Sequence, residues 1–203
     1  MGGLLVTSGL LLDINRYLQG LIQECVRLGG NLRIGERGTQ TQLDSFDQIV
    51  WATGADLCKQ EVTAPWKLEA VKGQLLQLRW PQEMPLLPLP VSGKVYLYQR
   101  PNEPEYGYVG GTYEHGDVND EPDIEVAKKL LLPLLERMLP AFKGVEVCRC
   151  RAGLRVSTPD HMPVIAQIDE RQWVFTGLGS KGLLYHSLYG RELAQKILDN
   201  SNL

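Results

Sequence analysis

The sequence has little that would build a metal or redox centre: four cysteines and three histidines among 203 residues. Cys148 and Cys150 flank Arg149, and Cys25 and Cys58 stand alone, so there is no Cys-x-x-Cys pair. Structural zinc needs paired ligands two or more residues apart plus a second pair, which this spacing does not offer. The four cysteines are therefore expected to be buried free thiols, and no metal is expected. No apolar run approaches the roughly 20 residues that span a bilayer. Leu4–Val6 and Leu10–Leu12 are too short for a signal segment and have no basic flank, which makes the cytoplasm the default location. An excess of positive charge is also missing, with 21 Lys and Arg against 24 Asp and Glu. The resulting net charge of −3 gives no overall attraction to nucleic acid or anionic membrane. There is no internal repeat, no low-complexity tract, and no obvious Ser/His/Asp or paired-carboxylate set.

What is present is an ordinary globular composition, 43% hydrophobic and 22% charged. The length suits one medium domain, or one compact domain carrying an inserted layer. Asp13 is placed to cap a helix in which Tyr17, Leu18, Leu21, Ile22, Cys25 and Leu28 recur at three- and four-residue steps. Gly29-Gly30 should end it. Leu32–Ile34 reads as a short strand, and Gln48–Ala52 as a strand buried on both faces. The first sixty or so residues thus read as a piece of an α/β sheet.

The middle changes character. Val71–Leu78, Val95–Gln99 and Tyr106–Gly110 are β-rich and separated by Pro- and Gly-rich turns. Asp123 should cap a second helix whose apolar face is Ile124, Ala127, Leu131, Leu134, Leu135 and Met138. Pro133 inside it should kink or divide it. Then Val145–Ala152 and Trp173–Thr176 read as strands and Leu183–Leu198 as a helix. The expected fold is α/β with an α+β insertion: an incomplete Rossmann-like dinucleotide-binding domain from residues 1–57 and 149–203, with an antiparallel-sheet domain from 58–148 between them.

Two constellations could carry chemistry. Gly177-Leu178-Gly179-Ser180-Lys181-Gly182 leads from a strand into a helix, where backbone N–H groups and the helix terminus favour an anion or an electron-rich ring edge. It matches G-x-G-x-x-G letter for letter. A dinucleotide fold, however, puts that turn after its first strand and follows it with a further strand and an acidic residue about 20 residues on. Asp199 stands at a similar distance with no strand to carry it. The turn is read as contacting another part of a cofactor, or as plain strand–helix punctuation. The second constellation is Arg155 before Thr158-Pro159-Asp160. Its guanidinium is either an ordinary sheet-edge charge or a planar fork for a carboxylate.

Gly153-Leu154-Arg155, Thr158-Pro159-Asp160-His161-Met162-Pro163 and Phe175–Leu183 together resemble the C-terminal signature of the D-amino-acid-oxidase type of FAD-dependent oxidoreductase, which includes glycine oxidase and sarcosine oxidase. Val71-Lys72-Gly73-Gln74, Gly110–Gly116 and Ile49–Ala55 resemble further stretches of the family in the same order. Within it they come nearest to the FAD-dependent domains of bifunctional tRNA 5-methylaminomethyl-2-thiouridine biosynthesis proteins. The resemblance implies FAD as cofactor, with Thr53 and Gly54 near its adenosine-diphosphate side. Gly179, Ser180, Lys181, Gly182 and Leu183 would then face the flavin pyrimidine edge. Lys181 stands where many relatives have Arg, which keeps the charge and loses the bidentate geometry. Arg155 is implied as the ligand of a substrate carboxylate, with Tyr113 and His115 bordering the pocket. Tyr185 and His186 are expected to pack.

The family oxidises a small amine or amino acid by hydride transfer to flavin, with oxygen as the usual acceptor, and needs mainly orientation and electrostatics from the protein. Relatives begin with a strand, a glycine-rich turn and a helix that this chain lacks. On the order of 140 residues or more are therefore expected to be missing, whether the chain is a split product that pairs with an N-terminal complementary chain or a piece of a longer enzyme. Two other readings stay open: a cofactor-free remnant acting only as a binding or structural module, and an oxidoreductase of tRNA wobble-uridine modification. The acidic balance makes nucleic acid an unfavoured partner for the chain alone.

Overall fold

The computed structural model describes residues 4–36 and 40–201, and the chain divides into two compact units, Met1–Ser45 and Phe46–Leu203. The first holds helix α1 (Ile14–Arg27) and the single turn α2 (Gln40–Leu43). Asp13 caps α1 by accepting from the Arg16 N–H, and Gly29 follows the helix at φ +93°, a conformation that costs glycine nothing. The strand expected at Leu32–Ile34 is not formed. The segment finds no ladder partner among the described residues, and an extended chain becomes a strand only by pairing.

In the second unit two sheets form. The smaller has the order β1 (Ile49–Trp51), β8 (Gln172–Thr176), β7 (Val164–Gln167), with β1 parallel and β7 antiparallel to β8. Only β8 is buried on both faces. As an edge strand β1 is half-buried, with Val50 exposed, contrary to the expectation of full burial. The larger sheet is antiparallel and joins β3 (Val91–Ser92), β4 (Tyr96–Arg100), β5 (Glu103–Gly110), β2 (Glu69–Arg79) and β6 (Val147–Ser157) in that order. β6 begins two residues later than the sequence pattern suggests and continues through Arg155 to Ser157, so both expected segments, 58–148 and 149–203, contribute to it.

Helix α3 (Ile124–Met138) closes one face of the large sheet. Ala127, Leu131 and Leu135 pack with Leu76, Leu78, Leu97, Val109, Trp80 and Phe142. Asp123 caps it by accepting from the N–H groups of Glu125 and Val126. Pro133 does not divide this helix. Proline removes one N–H whose partner would be the carbonyl of Lys129, an exposed residue, while the buried stripe Ala127, Leu131 and Leu135 stays intact. Helix α4 (Gly182–Ser201) follows β8. The thiols are free, as expected, but not buried: Cys25 and Cys148 are exposed and Cys58 and Cys150 half-buried. No group of three or more metal-ligating side chains occurs among the described residues, and no described helix is long and apolar enough to cross a membrane.

Candidate active site

Register places the site. In the β2–β6 ladder Glu69 faces Ser157, Val71 faces Arg155 and Gly73 faces Gly153, and residues opposite one another or two apart share a face. That face is the one α3 leaves uncovered. After β5 the chain returns along β2. Lys72 and Glu114 exchange backbone hydrogen bonds of 2.9 and 3.0 Å, and the Thr112 N–H donates to the Gln74 carbonyl at 3.2 Å. This return lays Tyr113 over Arg155, with the guanidinium carbon 4.7 Å from the ring centre.

Arg155 lies in a slot made by missing side chains. A methyl group on Gly73 would fall 2.2 Å from Nη2, and one on Gly111 would fall 3.2 Å from it. One guanidinium N–H donates to the Thr112 carbonyl at 3.2 Å. Behind the slot the buried Gln74 fixes the return: its amide donates to Glu114 at 3.0 Å, and its carbonyl oxygen accepts from the Asp123 N–H at 2.7 Å. Burial pushes the neighbouring Tyr96 phenol up, with Arg155 pulling the other way.

The glycine-rich turn completes the pocket. Gly177 and Gly179 adopt φ of +73° and +53°, and residues 179–181 form a short 3-10 turn into α4. Together with Val71, Tyr113, His115, Arg155, Ser157 and His161, the segment Gly177–Lys181 lines a cavity of about 250 Å³. Arg155, Tyr113, Gly179, Ser180 and Lys181 thus line one cavity. Gly182 and Leu183 open α4 and do not line the cavity; Leu183 is exposed. Thr53 and Gly54 open a separate 3-10 turn, Gly54 at φ +62°, and also lie outside the lining. Tyr185 packs edge-on against Tyr189, and Lys181 sits 5.6 Å above the Tyr185 ring.

Val71, Ser157 and His161 belong to the lining as well, and the sequence pattern did not single them out. His161 takes φ +58°, and its Nδ1 lies 3.3 Å from the Ser157 hydroxyl. The turn carrying it is held by the Thr158 hydroxyl, which donates to the Met162 carbonyl at 2.8 Å, and by Asp160, which accepts from the Met162 N–H at 3.0 Å. The Met162 N–H first, and the Thr158 side chain after it, hold the Asp160 carboxyl below its ordinary range. A Thr-Pro-Asp-His run is a recognisable turn, yet nothing in its letters gives the direction of the imidazole.

Beyond the pocket the uncovered sheet face is rich in tyrosine and arginine. Tyr98 stacks with Tyr96 and Tyr108 at 6.3 and 5.1 Å, and Arg100 and Arg79 each lie 4.9 Å over Tyr108 and Tyr106. Arg79 and Arg100 have carboxylate neighbours, Glu146 at 3.7 Å and Glu103 at 3.4 Å. Arg149 and Arg151, on the same face of β6 as Arg155, are exposed and form no ion pair among the described residues.

A small mixed sheet and a larger antiparallel sheet thus share an arginine-lined pocket that a glycine-rich strand–helix turn closes. The chain belongs to the FAD-dependent oxidoreductase (DAO) family, whose model matches residues 1–196. It is 30% identical over 166 residues to the tRNA 5-methylaminomethyl-2-thiouridine biosynthesis bifunctional protein MnmC of Thiobacillus denitrificans, covering 76% of this chain and 26% of that protein. Over 143 residues it is 29% identical to glycine oxidase of Pseudomonas putida, covering 68% and 38% respectively. Among solved structures, iminodiacetate oxidase of Chelativorans sp. BNC1 matches 92% of this chain and 55% of its own, with a TM-score of 0.69 at 18% identity. Glycine oxidase of Bacillus cereus matches 75% and 43% with a TM-score of 0.59 at 21% identity. The chain thus spans about a quarter of the first of these curated relatives.

Proposed function

We propose that this chain forms the substrate-facing and flavin-edge part of an FAD-dependent oxidoreductase that oxidises a small amine or amino acid. The observation that carries this reading is the meeting of Arg155, held in its glycine slot under Tyr113, with the turn Gly177–Lys181 around one cavity. Arg155 keeps donors free beyond its bond to Thr112 and would take the substrate carboxylate as a fork. Tyr113 covers the guanidinium and would limit the size of what lies beside it.

The residues of the turn fit a flavin edge. Positive φ at Gly177 and Gly179 lets the backbone come close, and Lys181, with no carboxylate partner among the described residues, offers a cation. The cavity of about 250 Å³ is below the usual range for a drug-sized ligand, so it would take a small substrate or one end of a ring system and not a dinucleotide. FAD, when bound, supplies the hydride acceptor, with oxygen as the terminal acceptor. The chain's own part is to bind the carboxylate and to orient the α C–H. Thr53 and Gly54 would lie toward the adenosine-diphosphate side, and a strand–glycine turn–helix segment would hold the pyrophosphate.

The test is anaerobic bleaching of flavin absorbance by glycine, sarcosine and other N-substituted glycines, with the chain alone and with such a segment co-expressed. Bleaching by an amino acid, lost in Arg155→Ala through a raised KM, is the expected outcome. Flavin that binds and is bleached by none of these amines would end the oxidase reading.

A second reading, an amine carried on RNA, draws support from the Arg149–Arg151–Arg155 row beside the stacked tyrosines, a surface that the net charge of −3 does not describe. Stacking platforms beside a basic row suit single-stranded nucleic acid. Binding of a uridine-rich oligonucleotide that weakens steeply with salt, and weakens further in a double Arg149→Ala, Arg151→Ala variant, is the expected result. Salt-independent binding would end that reading.

A further inference from the structure

Where the β2–β6 pair ends, Glu69 and Ser157 face one another, and each holds an imidazole through Nδ1. His115 lies 2.8 Å from Glu69 Oε1, and His161 lies 3.3 Å from Ser157 Oγ. Both rings line the cavity with Arg155 and Lys181, and carboxylate orientation of the substrate uses neither of them. An amino-acid nitrogen arrives as an ammonium group near neutral pH. Its α hydrogen leaves as hydride only when the nitrogen lone pair is free, so a proton must first find an acceptor. Arg155 and Lys181 are donors only. The two histidines are the candidates, and they are held differently. A carboxylate only accepts, so the bond to Glu69 fixes the His115 proton on Nδ1 and leaves Nε2 with its lone pair. A hydroxyl both donates and accepts, so Ser157 fixes no tautomer on His161.

We propose that His115, oriented by Glu69, accepts the substrate's ammonium proton at Nε2. The proposal rests on the amine-oxidation reading above. In the step one ammonium N–H bond breaks and an Nε2–H bond forms. The Nδ1–H stays on the ring and donates to the Glu69 carboxylate, whose charge balances the imidazolium, and no electrons change hands. The charged and titratable groups facing His115 are Glu69 from β2, Arg155 from β6, His161 from the turn after it, Lys181 from the glycine-rich turn, and Tyr113 two residues before it. Arg155 and Lys181 repel a bound ammonium and favour its loss of a proton.

The test compares the affinity of the full chain for sarcosine and for propionate, which has no N–H. Sarcosine should bind about tenfold more tightly, because only its nitrogen donates to His115 Nε2. His115→Phe should abolish that preference, Glu69→Gln should blunt it and His161→Phe should keep it. The His115 and Glu69 side chains are more than half exposed, so these changes leave the fold intact. A preference that survives His115→Phe overturns the assignment while leaving carboxylate binding standing. Failure of both ligands to bind removes the carboxylate site and this proposal with it.

Discussion

Arg155 keeps its place because Gly73 has no side chain. Its guanidinium lies flat on the β2 backbone, so a methyl group there would sit inside it. The group displaced would be the far end of a flexible side chain and not the strand, so Gly73→Ala should cost the fold only about 1–2 kcal/mol. The same change should lower carboxylate affinity about as far as Arg155→Ala does. Acetate titration followed by NMR, with thermal unfolding as the control, measures both. Acetate binding equal to that of the unaltered chain would show that the slot does not position Arg155. At this scale the turn glycines were legible, since their spacing leads from a strand into a helix, whereas Arg155 stayed between a sheet-edge charge and a carboxylate ligand and the slot at Gly73 was not visible. His115 and His161 were less legible, because an imidazole in a polar turn is usually solvated. Its role depends on Glu69 and Ser157, 46 and 4 residues away along the chain.

The pairing of β4 with β5 creates a titration that neither strand would show alone. Tyr108 is buried between Tyr98 and Arg100 and donates its hydroxyl proton to Glu103, and burial with that bond pushes its phenol up to about 12. A proton held more tightly in the folded state stabilises the fold fully below the ordinary tyrosine pKa of about 10. That contribution is lost as pH rises through the folded value. The expected outcome is a decline in stability between about pH 10 and about pH 12, with the Tyr108 phenolate absorbance appearing at its upper end. Tyr108→Phe should remove that absorbance and flatten the decline, and a decline unchanged in that variant would place its cause elsewhere. The elements were mostly visible in the pattern of apolar residues, since β2, β5, α1 and α3 follow their periods. Leu32–Ile34 was not, because its period fits a strand and only pairing makes one. Pro133 does not divide α3, because the residue whose carbonyl it leaves unpaired, Lys129, is exposed and the buried stripe is unaffected.

For the whole molecule the two units differ in what they bury. No residue of α1 is buried, whereas α3 seals a core through Ala127, Leu131 and Leu135. Hydrogen exchange should therefore be faster across α1 than across α3 and β2 by on the order of a hundredfold or more, and equal protection would contradict this ordering. The sequence by itself determined most of the elements, the caps of α1 and α3, and the family, because these depend on periodicity and on short runs of neighbouring residues. Tertiary structure alone decided the site. The β2–β6 register set Glu69, Arg155 and Ser157 on one face, the return after β5 laid Tyr113 over Arg155, and the glycine-rich turn closed the cavity against them. The physical reason is that a register is fixed by the sum of contacts along two distant strands, and a slip of one residue would send every one of these side chains to the other face.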